Sequence, residues 1–201
     1  MDCRIAVTGA AGFIGSHLSR GLLERGCCVL GIDNLSSGTR GNLPDGIDFL
    51  EGDIRSVNLK SALKGAHTVF HLAAKNCLLD CTADPAGTHQ INVVGTERVA
   101  QKAAEAGVRH FVYADTSAEY EGVLDFPSSP ERVHPLSIYA CSKRAGSLTA
   151  EAIARKRGMA FTTLRYFNVY GPAQDWRRSL PPVMSAFASK LLKGERPIIY
   201  G

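Results

Sequence analysis

Tyr139 and Lys143 are the residues of this chain whose types and spacing most directly suggest chemistry, in the stretch Y-A-C-S-K. Residues four apart lie on one face of an α-helix, so the ammonium would lie beside the phenol. A free tyrosine has a pKa of about 10, too high for a base at neutral pH, and a nearby cation favours the phenolate. Taken alone this pattern is usually a chance surface pair, but together with a dinucleotide-binding turn it predicts a proton-transferring tyrosine.

A glycine-rich stretch, T-G-A-A-G-F-I-G at residues 8–15, is the second chemically suggestive feature. It follows an apolar run at residues 4–8 that predicts a buried strand, and apolar residues recur at helical spacing after it. In such a strand-to-helix turn, the glycines in order permit a tight turn, approach of the backbone to a pyrophosphate, and close packing of helix on strand. These glycines are Gly9, Gly12 and Gly15. The turn therefore predicts a dinucleotide site in which N–H groups at the helix start meet the phosphates.

An acidic residue, Asp33, ends the next predicted strand at residues 27–32. At about this distance from the glycines, a dinucleotide site places an acid that accepts hydrogen bonds from the adenosine ribose. A carboxylate there would repel a 2′-phosphate, so the sequence favours NAD over NADP. The alternative interpretation makes the glycines simple punctuation before a helix and Asp33 a solvated loop acid.

The composition is that of an ordinary globular protein, with 201 residues, 45% of them hydrophobic and 21% charged. The net charge of +4 comes from scattered basic residues, so nucleic acid is not indicated as a partner. No stretch reaches the length of a membrane span and the chain opens directly on a strand pattern, so we expect a cytoplasmic protein without membrane contact. The six cysteines form no C-x-x-C pair, which predicts reduced thiols and no metal site.

Strand and helix patterns alternate along the whole chain. Further strands are predicted at residues 47–51, 67–72, 111–114 and 160–165, and helices at residues 57–64, 86–106 and 137–157. Because the strands are continuously apolar, we expect an α/β fold with a doubly wound parallel sheet. Ligands bind at the carboxyl ends of the strands in such a sheet. The residues at these ends predict a single site, and they are Gly9, Asp33, Asp53, Ala73, Ser117 and Asn168.

Several motifs together resemble the extended short-chain dehydrogenase/reductase family, and within it the nucleotide-sugar epimerases of the UDP-glucose 4-epimerase type. Besides the glycine turn and Y-A-C-S-K, they are D-N-L-S-S-G at residues 33–38, G-D-I at 52–54, H-L-A-A at 71–74, N-V-V-G-T at 92–96 and L-R-Y-F-N-V-Y-G-P at 164–172. They cover nearly the whole chain in the family's order. The resemblance implies a Rossmann fold with NAD as cofactor and a nucleotide-diphosphate sugar as substrate.

The same resemblance implies epimerisation at C4 of UDP-glucose, UDP-galactose or their N-acetyl forms through a 4-keto intermediate. Tyr139 would take the proton of the 4-hydroxyl while NAD takes the hydride, Lys143 would hold the nicotinamide ribose, and Ser117 would hydrogen-bond the reacting oxygen. Ser117 and Asn168 are the implied substrate-binding residues, and both also suit turns. The implied cofactor-binding residues are Gly9, Gly12, Phe13, Ile14, Gly15, Asp33, Asn34, Asp53, Ile54, Leu72, Ala73, Ala74, Asn92, Tyr139, Lys143 and Tyr166. Relatives dimerise through helices that correspond to residues 86–106 and 137–157, so a homodimer is expected.

The segment after the fifth predicted strand departs from the family pattern. Residues 115–122 read D-T-S-A-E-Y-E-G, where many relatives read S-S-S-A-V-Y-G, so that Glu119 follows Ser117 by two positions and Glu121 extends the loop. Related 4,6-dehydratases place an Asp-Glu pair where this chain has Ala118 and Glu119. The missing acid makes a dehydratase the weaker alternative, while Glu119 leaves open proton removal at C5, including the related decarboxylase type.

A second departure is length, because relatives continue for about a hundred residues past a segment like residues 194–201. The expected organisation is an NAD-binding Rossmann domain with the catalytic residues at 1–172, followed at 173–201 by the start of a truncated substrate-binding region. Trp176, Arg177 and Arg178 would begin the nucleotide pocket. A non-catalytic NAD-binding fragment is therefore the alternative from a different class.

Overall fold

The computed structural model describes residues 4–175 and 181–199. The chain folds as two compact units, Met1–Phe167 and Asn168–Gly201. The predicted start of a nucleotide pocket at Trp176, Arg177 and Arg178 lies outside the described residues.

Six parallel strands form one sheet in the first unit, in the order β3-β2-β1-β4-β5-β6. The strands are β1 (Arg4–Thr8), β2 (Cys28–Asp33), β3 (Asp48–Glu51), β4 (Thr68–His71), β5 (His110–Thr116) and β6 (Ala160–Tyr166). The chain winds outward in one direction from β1 and then in the other from β4, which places a crevice at the carboxyl ends of these two neighbours. The predicted doubly wound parallel sheet is confirmed.

The helices of the first unit connect these strands. They are α1 (Phe13–Glu24), α2 (Leu59–Ala62), α3 (Leu78–Ala83), α4 (Pro85–His89), α5 (Thr96–Glu105) and α6 (Ile138–Arg157). A π-helical turn, Gln90–Gly95, joins α4 to α5, so the long helix predicted at residues 86–106 is interrupted by a bulge. The sequence analysis did not predict α3. The α6 helix begins after a Ser137 cap and ends at Gly158, whose φ of 67° is in the left-handed region.

Apolar side chains fill both faces of the sheet because successive residues of a strand point to opposite sides. On one face Ile5 and Val7 of β1 pack with Leu18 and Leu22 of α1. On the other face, Ala6 lies in a larger cluster to which α2, α5 and α6 contribute, and its residues include Leu59, Val99, Phe111 and Ala150. Because helices cover both faces of the sheet with apolar side chains, its carboxyl edge is the part that accommodates polar residues.

The second unit contains one described helix, α7 (Val183–Leu192), which the sequence analysis did not predict. The Gln174 side-chain amide donates to the Val169 carbonyl at 3.0 Å, and the Ser185 hydroxyl donates to Gln174 Oε1 at 2.8 Å. None of the described helices in either unit combines the length and apolar composition that crossing a bilayer requires.

Candidate active site

A backbone hydrogen bond holds the glycine turn between β1 and α1 against β2. Gly9 has a φ of 72°, and its N–H donates to the Ile32 carbonyl of β2 at 2.8 Å. A Cβ atom at Gly15 would lie 2.0 Å from the Gly9 carbonyl oxygen, so only glycine lets the helix approach the turn. At Gly12 a Cβ atom would meet only that same oxygen within 4 Å, at 3.2 Å. A side chain at Gly12 would therefore meet far less of the protein than one at Gly15.

The start of α1 suits an anionic group. Gly12, in an extended conformation, precedes the first helical residues Phe13 and Ile14. Within the described chain no side chain caps this terminus, and the first turn of α1 contains no acidic residue. The first backbone N–H groups and the positive end of the helix dipole are the features by which such turns bind a diphosphate.

Asp33 fixes the turn against the end of β2. Its Oδ2 accepts from the Ala11 N–H at 3.0 Å and its Oδ1 accepts from the Leu35 N–H at 2.8 Å. The carboxylate is nearly buried, with 9% of the residue exposed. Each carboxylate oxygen has a second lone pair, so the geometry leaves acceptor capacity for a ribose hydroxyl.

Asp53 lies beside Asn34 at the same edge, and both already have protein partners. Asn34 donates to Asp53 Oδ2 at 3.2 Å, and the Arg55 guanidinium donates to both carboxylate oxygens at 2.9 and 2.6 Å. Arg55, chiefly through these hydrogen bonds, lowers the pKa of Asp53 to about 2. The side chain of Ile54 is buried in the core, so only its backbone is placed to meet a cofactor.

The segment that follows β4 passes directly over the glycine turn. The Leu72 N–H donates to the Thr8 carbonyl at 3.1 Å, and the Ala73 N–H donates to Thr8 Oγ1 at 3.2 Å. A Cβ atom at Gly9 would lie 2.8 Å from the Ala73 nitrogen. The small residue Ala73 is therefore brought beside the turn, and Ala74 follows it in the chain.

A buried histidine, which the sequence analysis placed in a strand and in the H-L-A-A motif without a role of its own, organises this region. His71 Nδ1 lies 2.7 Å from Thr8 Oγ1, and Nε2 lies 2.9 Å from Thr96 Oγ1. Because Thr96 donates its own proton to the Asn92 carbonyl at 2.8 Å, its oxygen accepts from His71 Nε2–H, and Nδ1 accepts from Thr8. Burial, assisted by the charge of Lys143, lowers the pKa of His71 to about 3, so the ring is neutral.

Asn92, in the π-helical turn, is occupied entirely within the protein. Its Oδ1 accepts from the Lys75 N–H at 2.8 Å, and its Nδ2 donates to the Lys75 carbonyl and to Ser142 Oγ, both at 2.9 Å. Ser142 in turn donates to the Tyr139 carbonyl at 2.7 Å. Asn92 is fully buried, so the structure gives it a role in holding the segment after β4 against α6 rather than an open side toward a cofactor.

Tyr139 and Lys143 lie on the first two turns of α6, as the spacing predicted. Lys143 is 2% exposed, and its Nζ lies 4.1 Å from the centroid of the Tyr113 ring, a cation–π contact. The Tyr113 hydroxyl donates to the Lys143 carbonyl at 3.1 Å. Burial lowers the pKa of Lys143 to about 8, against the opposing charges of Asp115 and Glu119. The ammonium thus lies against the Tyr113 ring, one helical turn along α6 from Tyr139.

Ser117 begins a single 3₁₀ turn, Ser117–Tyr120, directly after β5. Thr116 caps this turn by accepting from the Ala118 N–H at 3.1 Å. The turn interpretation that the sequence left open for Ser117 thus applies to its neighbour Thr116, whose side chain caps the turn.

Tyr166, at the end of β6, is paired in register with Thr116, and burial raises the pKa of its phenol. Asn168 is exposed and begins the second unit.

Glu119 is enclosed by arginines. It is fully buried, with Oε2 2.5 Å from Arg165 Nε and Oε1 3.8 Å from Arg144 Nη1. Burial and the charge of Asp115 raise the pKa of Glu119, and the two arginines oppose that shift. Both carboxylate oxygens thus face arginines, an arrangement typical of a structural ion pair. Among the described residues no cluster of three or more histidine, cysteine or acidic side chains is arranged to hold a metal ion.

Comparison with known proteins identifies the family of this arrangement. The model of the NAD dependent epimerase/dehydratase family matches residues 5–201. The chain belongs to this family.

Individual members of the epimerase/dehydratase family match over nearly the whole chain. The UDP-glucose 4-epimerase of Mycolicibacterium smegmatis is 36% identical over 98% of this chain and 66% of its own. A solved structure of UDP-glucose 4-epimerase from Thermotoga maritima with UDP-glucose has a TM-score of 0.93 and 36% identity, covering 98% of this chain and 66% of that one. The Thermus thermophilus UDP-glucose 4-epimerase in complex with NAD has a TM-score of 0.86 and 33% identity, covering 97% and 64%. This chain spans no more than about two thirds of each of these family members.

Proposed function

We propose that this chain is the NAD-binding and catalytic part of an enzyme that inverts C4 of a nucleotide-diphosphate sugar, with UDP-glucose, UDP-galactose or their N-acetyl forms as substrates. The observation that carries the proposal is the placement of Tyr139 and Lys143 on one face of α6, at the sheet edge where the glycine turn and Asp33 also lie. The similarity to UDP-glucose 4-epimerases supports it.

NAD fits the residues at this edge. The outer side of Gly12 admits a diphosphate, and Asp33 retains acceptor capacity for the adenosine ribose. Asp53 and the backbone at Ile54 would receive the adenine, and Ala73 and Ala74 leave room over the end of β4. Held by these residues, NAD would supply the acceptor for a hydride from the sugar carbon and the donor for its return to the opposite face.

The chain's own residues supply the proton transfers. Tyr139, as phenolate, removes the proton of the sugar 4-hydroxyl and later returns it to the 4-keto oxygen. Lys143 favours that phenolate through its charge and holds the nicotinamide ribose hydroxyls. Ser117 donates a hydrogen bond to the reacting sugar oxygen, and Asn168 contacts the substrate near its diphosphate.

The other reactions considered from the sequence have weaker support. Dehydration or decarboxylation would need the Glu119 carboxylate to meet the sugar, and its engagement by Arg165 and Arg144 opposes this. A non-catalytic NAD-binding module stays the second candidate, because the chain spans no more than about two thirds of the compared enzymes.

We further propose a cytoplasmic homodimer that packs through the helices of residues 86–106 and 137–157. Ile138 and Leu148 of α6 are 37% and 48% exposed, which leaves apolar surface on this helix. None of the five described cysteines is part of a disulfide, which suits a reducing compartment. Light scattering after size exclusion tests the dimer, and Leu148→Glu is expected to yield monomers.

A turnover assay tests the reaction. The purified chain with NAD is offered UDP-glucose, UDP-galactose and their N-acetyl forms, and the products are separated by chromatography. We expect the C4 epimer with the wild-type chain and none with Tyr139→Phe, while calorimetry shows that both bind NAD. Full activity in Tyr139→Phe contradicts the mechanism. NAD binding without turnover in the wild-type chain would favour the non-catalytic module.

A further inference from the structure

One carboxylate joins the two turns that carry Ser117 and Tyr139. Glu121 comes directly after the Ser117–Tyr120 turn. Its Oε2 accepts from the N–H groups of Leu136 at 3.1 Å and Ser137 at 2.8 Å, and its Oε1 accepts from the Ser137 hydroxyl at 2.9 Å. All three partners lie just before the first turn of α6.

Ser137 transmits this contact into the helix. It is the N-cap of α6, and its Oγ accepts from the Ala140 N–H at 3.1 Å while its hydroxyl proton goes to Glu121. The cap is thereby fixed in orientation as well as in place. The first turn of α6 contains no acidic residue of its own, so Glu121 supplies the negative charge that a helix N-terminus favours.

The backbone closes the same junction. The His134 N–H donates to the Glu119 carbonyl at 2.7 Å, and the Gly122 N–H donates to the His134 carbonyl at 2.9 Å. A Cβ atom at Gly122 would lie 2.5 Å from His134 Nδ1, so the two segments are in close contact. The residues between Gly122 and His134 form a loop whose two ends are tied together, and Glu121 directly precedes its first end.

We propose that Glu121 is a positioning residue, which sets where the Tyr139 phenol stands relative to the Ser117 hydroxyl. This inference rests on the proposed function for its catalytic consequence. Proton transfer to a phenolate requires the hydroxyl and the base within hydrogen-bond reach, and a displacement of about 1 Å costs on the order of 100-fold in rate. Glu121 touches neither substrate nor cofactor in this role.

Three substitutions separate geometry from charge. Glu121→Gln keeps an oxygen that accepts from the two backbone N–H groups, so we expect kcat within about threefold of wild type. Glu121→Ala removes the acceptor and Glu121→Asp is one methylene too short, so both are expected to lower kcat about 10- to 100-fold. KM for UDP-galactose and the Kd for NAD should stay within about twofold. Glu131→Ala is the matched control, since Glu131 is an exposed acid of the same loop whose side chain bonds Ser129.

Two measurements on the ligand-free chain test the placement without turnover. Hydrogen exchange at the Leu136 and Ser137 amides is expected to be about tenfold faster in Glu121→Ala than in wild type or Glu131→Ala. The ¹³Cζ resonance of Tyr139, assigned by its loss in Tyr139→Phe, is expected to shift and broaden in Glu121→Ala only.

The outcomes are distinct. Unchanged exchange and an unchanged Tyr139 resonance overturn the proposal, whether or not the chain turns over. Altered exchange with full kcat also overturns it, because the contact would then have no bearing on Tyr139. Equal losses in Glu121→Gln and Glu121→Ala, with a shifted pH profile, would mean a direct chemical role. An inactive wild-type chain whose Glu121→Ala form still shows both changes refutes the proposed function alone.

Discussion

Arg165 Nε lies 2.5 Å from Glu119 Oε2, in a pair that links β6 to the turn carrying Ser117. The same guanidinium donates to the Tyr120 hydroxyl at 2.8 Å and to the Pro130 carbonyl at 2.6 Å. Arg165 therefore connects the edge strand β6 to the Ser117–Tyr120 turn and to the loop that follows this turn. Glu119, which from sequence alone suggested C5 chemistry, is the buried ionic partner of Arg165.

Removing one member of this pair should destabilise the fold and leave the reaction type unchanged. Glu119→Ala leaves the Arg165 charge without its buried partner, so we expect a loss of about 3 to 5 kcal/mol in the free energy of unfolding by urea. The double variant Glu119→Val with Arg165→Met should recover part of that loss. Exchange of the sugar C5 proton with solvent should be absent in wild type and in Glu119→Gln alike. C5 exchange in wild type that disappears in Glu119→Gln would revive the decarboxylase alternative.

His71 should make the protein sensitive to acid. Its pKa is lowered from 6.5 to about 3 by burial, so between these values the unfolded chain binds a proton that the folded chain does not. The contribution of His71 to the free energy of unfolding is therefore fully present above pH 6.5. It is lost as the pH falls from 6.5 towards 3, and the whole loss is a few kcal/mol. Urea titrations from pH 7.5 to 4 should show a shallower decline in His71→Gln than in wild type. The exposed His89→Gln should keep the wild-type slope, and an equal slope in all three chains would contradict the assignment.

Lys143 should lose its charge near neutral pH. Burial lowers its pKa from 10.5 to about 8, so ammonium predominates below that pH and amine above it. In the ligand-free chain the ¹³Cε resonance of Lys143 should titrate near pH 8. If the ammonium holds the nicotinamide ribose, NAD affinity should weaken as the pH rises through this range in wild type and in the exposed control Lys156→Met. Lys143→Arg should remove that dependence, and its persistence there would assign it to another group.

Gly15 should be intolerant of even a methyl group. A Cβ atom there would lie 2.0 Å from the Gly9 carbonyl oxygen and 2.8 Å from the Gly9 carbonyl carbon, which are backbone atoms. Gly15→Ala must open the turn, so we expect a loss of at least about 2 kcal/mol in stability and a weakening of NAD binding by tenfold or more. In the same helix, Gly21→Ala meets only the end of the Arg25 side chain at 3.3 Å. That variant should be up to about 1 kcal/mol more stable than wild type, and equal effects at both positions would contradict the packing argument.

Local patterns were sufficient for the sheet and for the residues at its carboxyl edge. Continuous apolar runs predicted β1 and the other strands, and the glycine spacing with Asp33 predicted the turn, because these features depend on residues close in sequence. The same reasoning missed α3, which has only six residues, and α7. It also read residues 86–106 as an unbroken helix, since the π-helical turn around Asn92 leaves the apolar spacing almost intact.

The sequence by itself determined the family, the parallel fold and which residue types meet at the strand ends, since periodicity and motif spacing are properties of neighbouring residues. Only the tertiary structure decided how those residues are held. His71 reaches Thr8 and Thr96, Glu119 reaches Arg165, and Glu121 reaches Ser137. These contacts join residues far apart in the chain, and a polar side chain's partner is set by burial and by which elements pack together, neither of which is written in local sequence.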